Sequence, residues 1–219
     1  MKTALVFGAS GLTGTFLLRV LLDNPEYARV IAFARRPLNI KHDKLEILHA
    51  ELDDRSAIQV LAKGDELFCC LGTTIRKAGS QENFRTVDHD YPLMLAGIAK
   101  RNGIGTFVLV SSLGANVHSK NFYLRIKGET EEAICKVGIN RVIIVRPSML
   151  LGHRQEFRLG ERIGRGLMQM VGPALGGRFR KYRAIHSRTV AQALVKLAAT
   201  TGPGEHVFES DTLKAWANA

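Results

Sequence analysis

The sequence predicts an α/β fold: a doubly wound parallel sheet in a single domain spanning residues 1–219, with a small basic C-terminal segment. Three observations carry that expectation. A glycine turn sits between an apolar run and a helical pattern at the N-terminus. Short continuous apolar runs then alternate with helical patterns through two thirds of the chain. One irregular, arginine-rich stretch interrupts the alternation near the end.

The first run, Thr3-Ala4-Leu5-Val6-Phe7, is continuous and apolar, as a parallel strand buried on both faces should be. Gly8-Ala9-Ser10-Gly11-Leu12-Thr13-Gly14 follows, and then Phe16, Leu17, Val20 and Leu21 recur on one helical face. Further strand-like runs are Val30–Phe33, Leu45–Leu48, Glu66–Leu71, Phe107–Val110 and Val142–Val145. Helical patterns around Leu93–Ile98 and over Tyr123–Val137 separate the later ones. This alternation is that of a Rossmann-like doubly wound sheet. Residues 152–187 are glycine-rich, basic and irregular, with a helix expected over Phe157–Val171. Thr189–Ala199 reads as a helix and His206–Phe208 as a last strand. No linker divides the chain.

Composition narrows the class. Hydrophobic residues make up 46% of the 219, so the chain can bury a core. No apolar stretch approaches the ~20 residues of a membrane span, and the short N-terminal run does not read as a signal peptide. Three cysteines make no disulfide framework and have no metal-ligand spacing, which sets the expectation of a reducing, cytoplasmic setting. The net charge is +11, and more than half of it lies between Gly152 and Arg183. There seven arginines and Lys181 face only Glu156 and Glu161. Such a segment suits an anionic partner: cofactor phosphate, an acidic or phosphorylated small-molecule substrate, nucleic acid or an anionic membrane surface. No nucleic-acid-binding motif is present.

The glycine turn predicts the ligand. A strand, a glycine turn and a helix in that order bring backbone N–H groups to a helix N-terminus, where the dipole favours a pyrophosphate. Gly8, Gly11 and Gly14 are the glycines concerned. At the end of the second strand, a cofactor lacking the 2′-phosphate would call for an acid about 20 residues past the glycines. Arg35-Arg36 stands there instead, with no acid between Tyr27 and His42, which favours NADP(H). Asp53, after the third run, has two readings: an acceptor for the adenine amino group, or a helix cap together with Asp54.

Tyr123 and Lys127 lie four apart on one helical face. A neighbouring ammonium favours ionisation of a phenol, so this spacing suits a proton donor and its partner. The pair follows Phe107-Val108-Leu109-Val110-Ser111-Ser112, a buried strand ending in two hydroxyls where the crevice of an open sheet lies. Ser112 can donate to a substrate carbonyl oxygen, with Ser111 as the alternative. His186 and His153 read as surface or packing histidines.

These motifs resemble the short-chain dehydrogenase/reductase superfamily in its atypical branch. The chain is most similar to bacterial NAD(P)-binding oxidoreductases related to the Tat-interacting-protein family. GASGLTG, FARR, FCCLGTTIRKAGS, VSSLGAN, FYLRIKGETEE and VRPSMLLGHRQEFR follow that group's order. The resemblance implies that Ser10, Gly11, Leu12 and Thr13 line the pyrophosphate and that Arg35 and Arg36 take the 2′-phosphate. It implies that Leu71 and Gly72 flank the adenosine ribose. Tyr123 and Lys127 become acid and partner, Leu150 lies near the nicotinamide, and Arg158 reaches cofactor phosphate. An NADPH-dependent reductase of a carbonyl or enone is the function expected, with a non-catalytic NADP(H)-binding sensor as the alternative. Residues 152–187 would form a substrate-binding lid, and monomer and homodimer both remain open.

Overall fold

The computed structural model describes residues 1–35, 37–152 and 181–218. Its strands are β1 (Lys2–Phe7), β2 (Tyr27–Ala34), β3 (Leu45–His49), β4 (Glu66–Cys69), β5 (Thr106–Val110), β6 (Arg141–Arg146), β7 (Leu150–Leu151), β8 (Ile185–His186) and β9 (Gly204–Glu209). Among the described residues the main sheet runs β3-β2-β1-β4-β5-β6-β9, and every pairing in it is parallel. The order reverses between β1 and β4, so a crevice opens at their C-terminal ends. The expected doubly wound sheet is therefore the observed one.

Strand alternation explains why both faces are covered. From β1, Ala4 and Val6 point to one face and pack with α1 (Leu12–Asp23) and its residues Leu17, Leu18 and Leu21. Leu5 and Phe7 point to the other and pack with Ile58 of α2 (Arg55–Leu61) and with residues of helices further along the chain. All four β1 side chains are essentially without solvent contact. Each such leucine, valine or phenylalanine contributes about 1.5–3 kcal/mol through burial. Phe7 and Phe33 are register partners, and their rings stack at 4.3 Å and 9°.

Three short helices escaped the periodicity reading because none spans two full turns: α2, α3 (Ile75–Ala78) and α4 (Gln81–Arg85). Each begins at a side-chain cap, from Asp54, Thr74 and Ser80 respectively. The chain then makes a π-helical turn over Thr86–Asp90 and enters α5 (Tyr91–Arg101). Next comes α6 (Phe122–Cys135), capped by Asn121. The expected strand Glu66–Leu71 ends at Cys69: Cys70 donates to the Phe7 carbonyl at 2.9 Å, and beyond it β1 has already turned away. The expected helix over Phe157–Val171 lies outside the described residues.

The helix expected over Thr189–Ala199 is α7 (Ser187–Thr200). It gains its first residues because His186 caps it, Nδ1 accepting from the Arg188 N–H at 3.1 Å. A final helix, α8 (Ser210–Asn218), was not expected; Leu213 and Trp216 tie it to the α1–α7 core.

The cysteines are free, and their surroundings disfavour the thiolate. Burial pushes the Cys69 thiol up to about 12, and raises Cys70 further. Burial first, then Glu205, pushes Cys135 up to about 12. A raised thiol pKa leaves less thiolate at any given pH below it. At about pH 8, where a free cysteine is about a quarter thiolate, the folded protein should react with a thiol reagent at least roughly tenfold more slowly than the unfolded chain. Fast modification of the folded protein would contradict that packing.

Candidate cofactor and active site

β1 ends at Phe7 and the chain reverses at Gly8, whose φ of +81° an L side chain rarely adopts. A Cβ there would also lie 2.5 Å from the Cys70 carbonyl oxygen. Gly14 answers a different need: its Cβ would fall 2.2 Å from the Gly8 oxygen and 2.9 Å from the Ala9 Cα, so α1 packs backbone to backbone on the turn. Gly11 caps α1 without a side-chain hydrogen bond, and the first turn holds no acid. Ser10 is exposed, while Leu12 is half-buried and Thr13 buried. The result is a helix N-terminus aimed at the crevice with its N–H groups uncapped by side chains, which fits a pyrophosphate.

At the neighbouring strand ends, Arg35 follows β2 and is exposed. Arg36 lies outside the described residues. The two aspartates after β3 divide the work that the sequence left undecided. Asp54 caps α2, its Oδ1 accepting from the Ala57 N–H at 2.9 Å. Asp53 Oδ1 accepts from the Tyr91 hydroxyl at 2.6 Å. That hydrogen bond, helped by burial, pushes the Tyr91 phenol up to about 12, while the charge of Arg35 opposes it. Arg35, Asp53 and Tyr91 therefore gather beside the C-terminal ends of β2 and β3.

The other end of the crevice is built on α6. Tyr123 is half-buried, its ring 5.7 Å from that of Phe84 on α4. One turn later Lys127 is buried, and its Nζ lies 2.8 Å from Asp88 Oδ1. Burial works to lower the Lys127 pKa, but Asp88 and Tyr123 outweigh it and the net shift is upward. Half-buried Leu71 and exposed Gly72 follow β4. A Cβ on Gly72 would be 3.5 Å from Asp88 Oδ1 and 3.9 Å from Lys127 Nζ, so this backbone lies directly over the ion pair. Asp88 was missed in the sequence, because nothing in a single aspartate announces the π-helical turn that carries it.

The two serines after β5 have different surroundings. Ser111 is buried and donates to Glu131 Oε1, and the same glutamate accepts from Arg146, with Nη2 to Oε2 at 2.5 Å. Ser112 is half-buried, and its hydroxyl has only a long 3.5 Å approach to the Leu113 carbonyl. Ser112 thus keeps a hydroxyl to offer, while Ser111 is engaged in the α6–β6 packing. The loop carrying Ser112 crosses α6 at Gly128, where a Cβ would fall 2.4 Å from the Val117 nitrogen.

Leu150 lies in β7, which pairs with β8 (Leu150 with Ile185, Leu151 with His186). Ser187 Oγ donates to the Leu151 carbonyl at 3.1 Å, and Ser148 Oγ to the Arg183 carbonyl at 2.5 Å. Both stems of the basic segment are thereby fixed beside the end of β6. Gly152 touches the α1 N-terminus, a Cβ there lying 2.7 Å from Leu12 Cδ1. His153, Arg158 and the rest of 153–180 lie outside the described residues. His186 is exposed and serves as the cap of α7, with its ring edge-on to Phe16 at 5.5 Å.

A parallel sheet with a glycine turn at its order reversal has the architecture of a dinucleotide-binding fold. A family model described as NAD(P)H-binding matches residues 8–201. The chain is 34% identical to the HTATIP2 protein of Rattus norvegicus over 208 residues, 93% of this chain and 84% of that protein. It is 36% identical to the mitochondrial FMP52 protein of Debaryomyces hansenii over 211 residues, 92% of this chain and 91% of that one. The chain belongs to this NAD(P)H-binding family, together with HTATIP2 and FMP52. Among solved structures, Bordetella bronchiseptica WbmH in complex with NAD+ superposes with a TM-score of 0.72 at 15% identity, covering 100% of this chain and 79% of that one. MoeE5 with UDP-glucuronic acid and NAD gives 0.68 at 17% identity, covering 94% and 75%. At such identities the likeness is one of fold.

The relatives also correct one expectation. The FMP52 proteins of Debaryomyces hansenii, Candida albicans and Candida glabrata are named mitochondrial, against the cytoplasmic setting inferred from the cysteines. Free thiols require a reducing surrounding, and that criterion does not single out the cytoplasm. Among the described residues, no helix is long and apolar enough to cross a membrane.

Proposed function

We propose that the protein is an NADPH-dependent reductase of a small carbonyl or enone substrate. The observation that carries this reading is the placement of Tyr123 and buried Lys127 one turn apart on α6, with the half-buried Ser112 following β5 at the same end of the sheet. The bound dinucleotide supplies the hydride. Tyr123 Oη donates the proton that the substrate oxygen needs, and Ser112 Oγ holds that oxygen by a hydrogen bond. Lys127 Nζ holds the nicotinamide ribose hydroxyls, and the α1 N-terminus with Ser10, Leu12 and Thr13 holds the pyrophosphate. Leu71 and Gly72 flank the adenosine ribose, and Asp53 keeps one carboxylate oxygen for the adenine amino group. Leu150 borders the nicotinamide.

The preference for the 2′-phosphate rests on Arg35, exposed where β2 ends, on its neighbour Arg36, and on the absence of an acid between Tyr27 and His42. The concentration of arginine between Gly152 and Arg183 supports an acidic or phosphorylated substrate, with Arg158 assigned to cofactor phosphate.

The test is consumption of NADPH, followed by its absorbance, against a panel of aldehydes, ketones and enones that includes acidic and phosphorylated members. Turnover of at least one class above the buffer rate is the expected result. Tight NADPH binding with no consumption across the panel would contradict the reductase and leave a dinucleotide-binding sensor.

A further inference from the structure

We propose that Asp88 is a positioning residue of this site, fixing the Lys127 ammonium beneath Gly72 through a buried ion pair. The inference rests on the reading that Lys127 serves the cofactor, and it adds a residue that the Tyr-Lys-Ser reading does not contain.

The geometry around Asp88 is built from three elements. The π-helical turn over Thr86–Asp90 admits one extra residue and re-aims the side chains that follow it; such turns recur at functional sites. Here it drives the Asp88 carboxylate into the protein, where the residue is 1% exposed. Oδ2 accepts from the Thr73 N–H at 2.8 Å, in the loop after β4. Oδ1 faces Lys127 Nζ at 2.8 Å. The Asp88 carbonyl accepts from the Thr130 hydroxyl of α6 at 3.0 Å. The Thr73 N–H on Oδ2 and the Thr130 hydroxyl on the backbone hold the residue in place, so Oδ1, buried and without a hydrogen-bond partner among the described residues, is left facing the Lys127 charge.

Charge explains the need for it. A lysine buried in apolar surroundings tends to shed its proton. Lys127 is faced by Asp88 from the π turn, by Tyr123 from its own helix and by Cys69 from β4. The Cys69 thiol is pushed up to about 12 by burial and brings no charge near neutrality. Glu131, one turn on, is engaged by Ser111 and Arg146. The neighbouring carboxylate that sustains the ammonium is therefore that of Asp88. The contact with Asp88 is an ion pair, so the three donors of the ammonium are left for ribose hydroxyls.

The sign of a pH effect follows. Losing the carboxylate leaves burial unopposed, so the Lys127 pKa falls and the ammonium disappears as pH rises. In Asp88→Asn, the pH titration of the Lys127 13Cε resonance, assigned with Lys127→Arg and followed without cofactor, should move down by about one pH unit or more. NADPH affinity, measured by fluorescence, should fall more steeply with rising pH in the variant than in the parent, the loss setting in about one pH unit lower or more. Asp88→Glu keeps the charge and should hold the titration near its parental position. In a Lys127→Met background, adding Asp88→Asn should cost no further affinity, because Asp88 acts through the lysine. Should Asp88→Asn alone fail to fold, the double variant, which removes both charges, is expected to fold.

An unmoved 13Cε titration in Asp88→Asn would overturn the proposal and leave the role of Lys127 standing. So would additive losses in the double variant, or a double variant that does not fold. Unchanged NADPH affinity in Lys127→Met would overturn both the proposal and the assignment of Lys127 to the cofactor.

Discussion

Gly14→Ala should abolish dinucleotide binding and lower the stability of the fold. The added Cβ would meet three backbone atoms of the phosphate turn, the Gly8 oxygen at 2.2 Å and the Ala9 Cα and Gly8 carbonyl carbon at 2.9 Å. None is the end of a flexible side chain, so α1 must move off β1 or the turn must deform. Both routes disturb the N–H groups that would hold a pyrophosphate, and the first also loosens Leu17, Leu18 and Leu21 from the core. Overpacking of this kind costs about 1–3 kcal/mol, which lowers Tm by roughly 2–12 °C in a chain of this size. Gly202→Ala is the control, because nothing lies within 4 Å of its Cβ position. Thermal unfolding and an NADPH titration of the two variants check the prediction. Parental binding in Gly14→Ala would contradict the phosphate turn described above.

Tyr123→Phe should lose turnover by about 10²–10⁴-fold, the usual contribution of a positioned acid. NADPH affinity should stay within about threefold, because only a hydroxyl is removed. Phenylalanine keeps the ring contact with Phe84 at 5.7 Å, so the fold and the Lys127–Asp88 pair should survive. That separation of turnover from binding distinguishes an acid from a packing tyrosine on an amphipathic helix. Activity within about threefold of the parent would remove Tyr123 from the chemistry.

The sheet was legible because its physics is local. A strand buried on both faces must be apolar throughout, and β1, β2, β5 and β6 are read directly from that requirement. The glycine turn was legible because a positive φ at Gly8 and the close approach at Gly14 admit no other residue. The Ser111–Ser112 ambiguity was not resolvable from the sequence, because Glu131 and Arg146 reach Ser111 only once α6 docks against β6. The same holds for Asp53 and Asp54, separated by Tyr91, 38 residues away from Asp53. Asp88 was invisible for a related reason: its partner Lys127 and the π-helical turn that turns it inward are both products of the tertiary fold. The mitochondrial names of the FMP52 relatives show the limit of cysteine content as a guide to compartment.

Arg35 and its neighbour Arg36 should make the protein bind NADP(H) in preference to NAD(H). A fluorescence titration of the purified protein with NADPH and with NADH, repeated on Arg35→Ala/Arg36→Ala, tests it most directly. Each charge-assisted hydrogen bond to the 2′-phosphate contributes about 1.5–3 kcal/mol, so the double variant should lose at least about tenfold in NADPH affinity and little in NADH affinity. Equal binding of the two nucleotides by the parent protein, or parental NADPH affinity in the double variant, would contradict that preference.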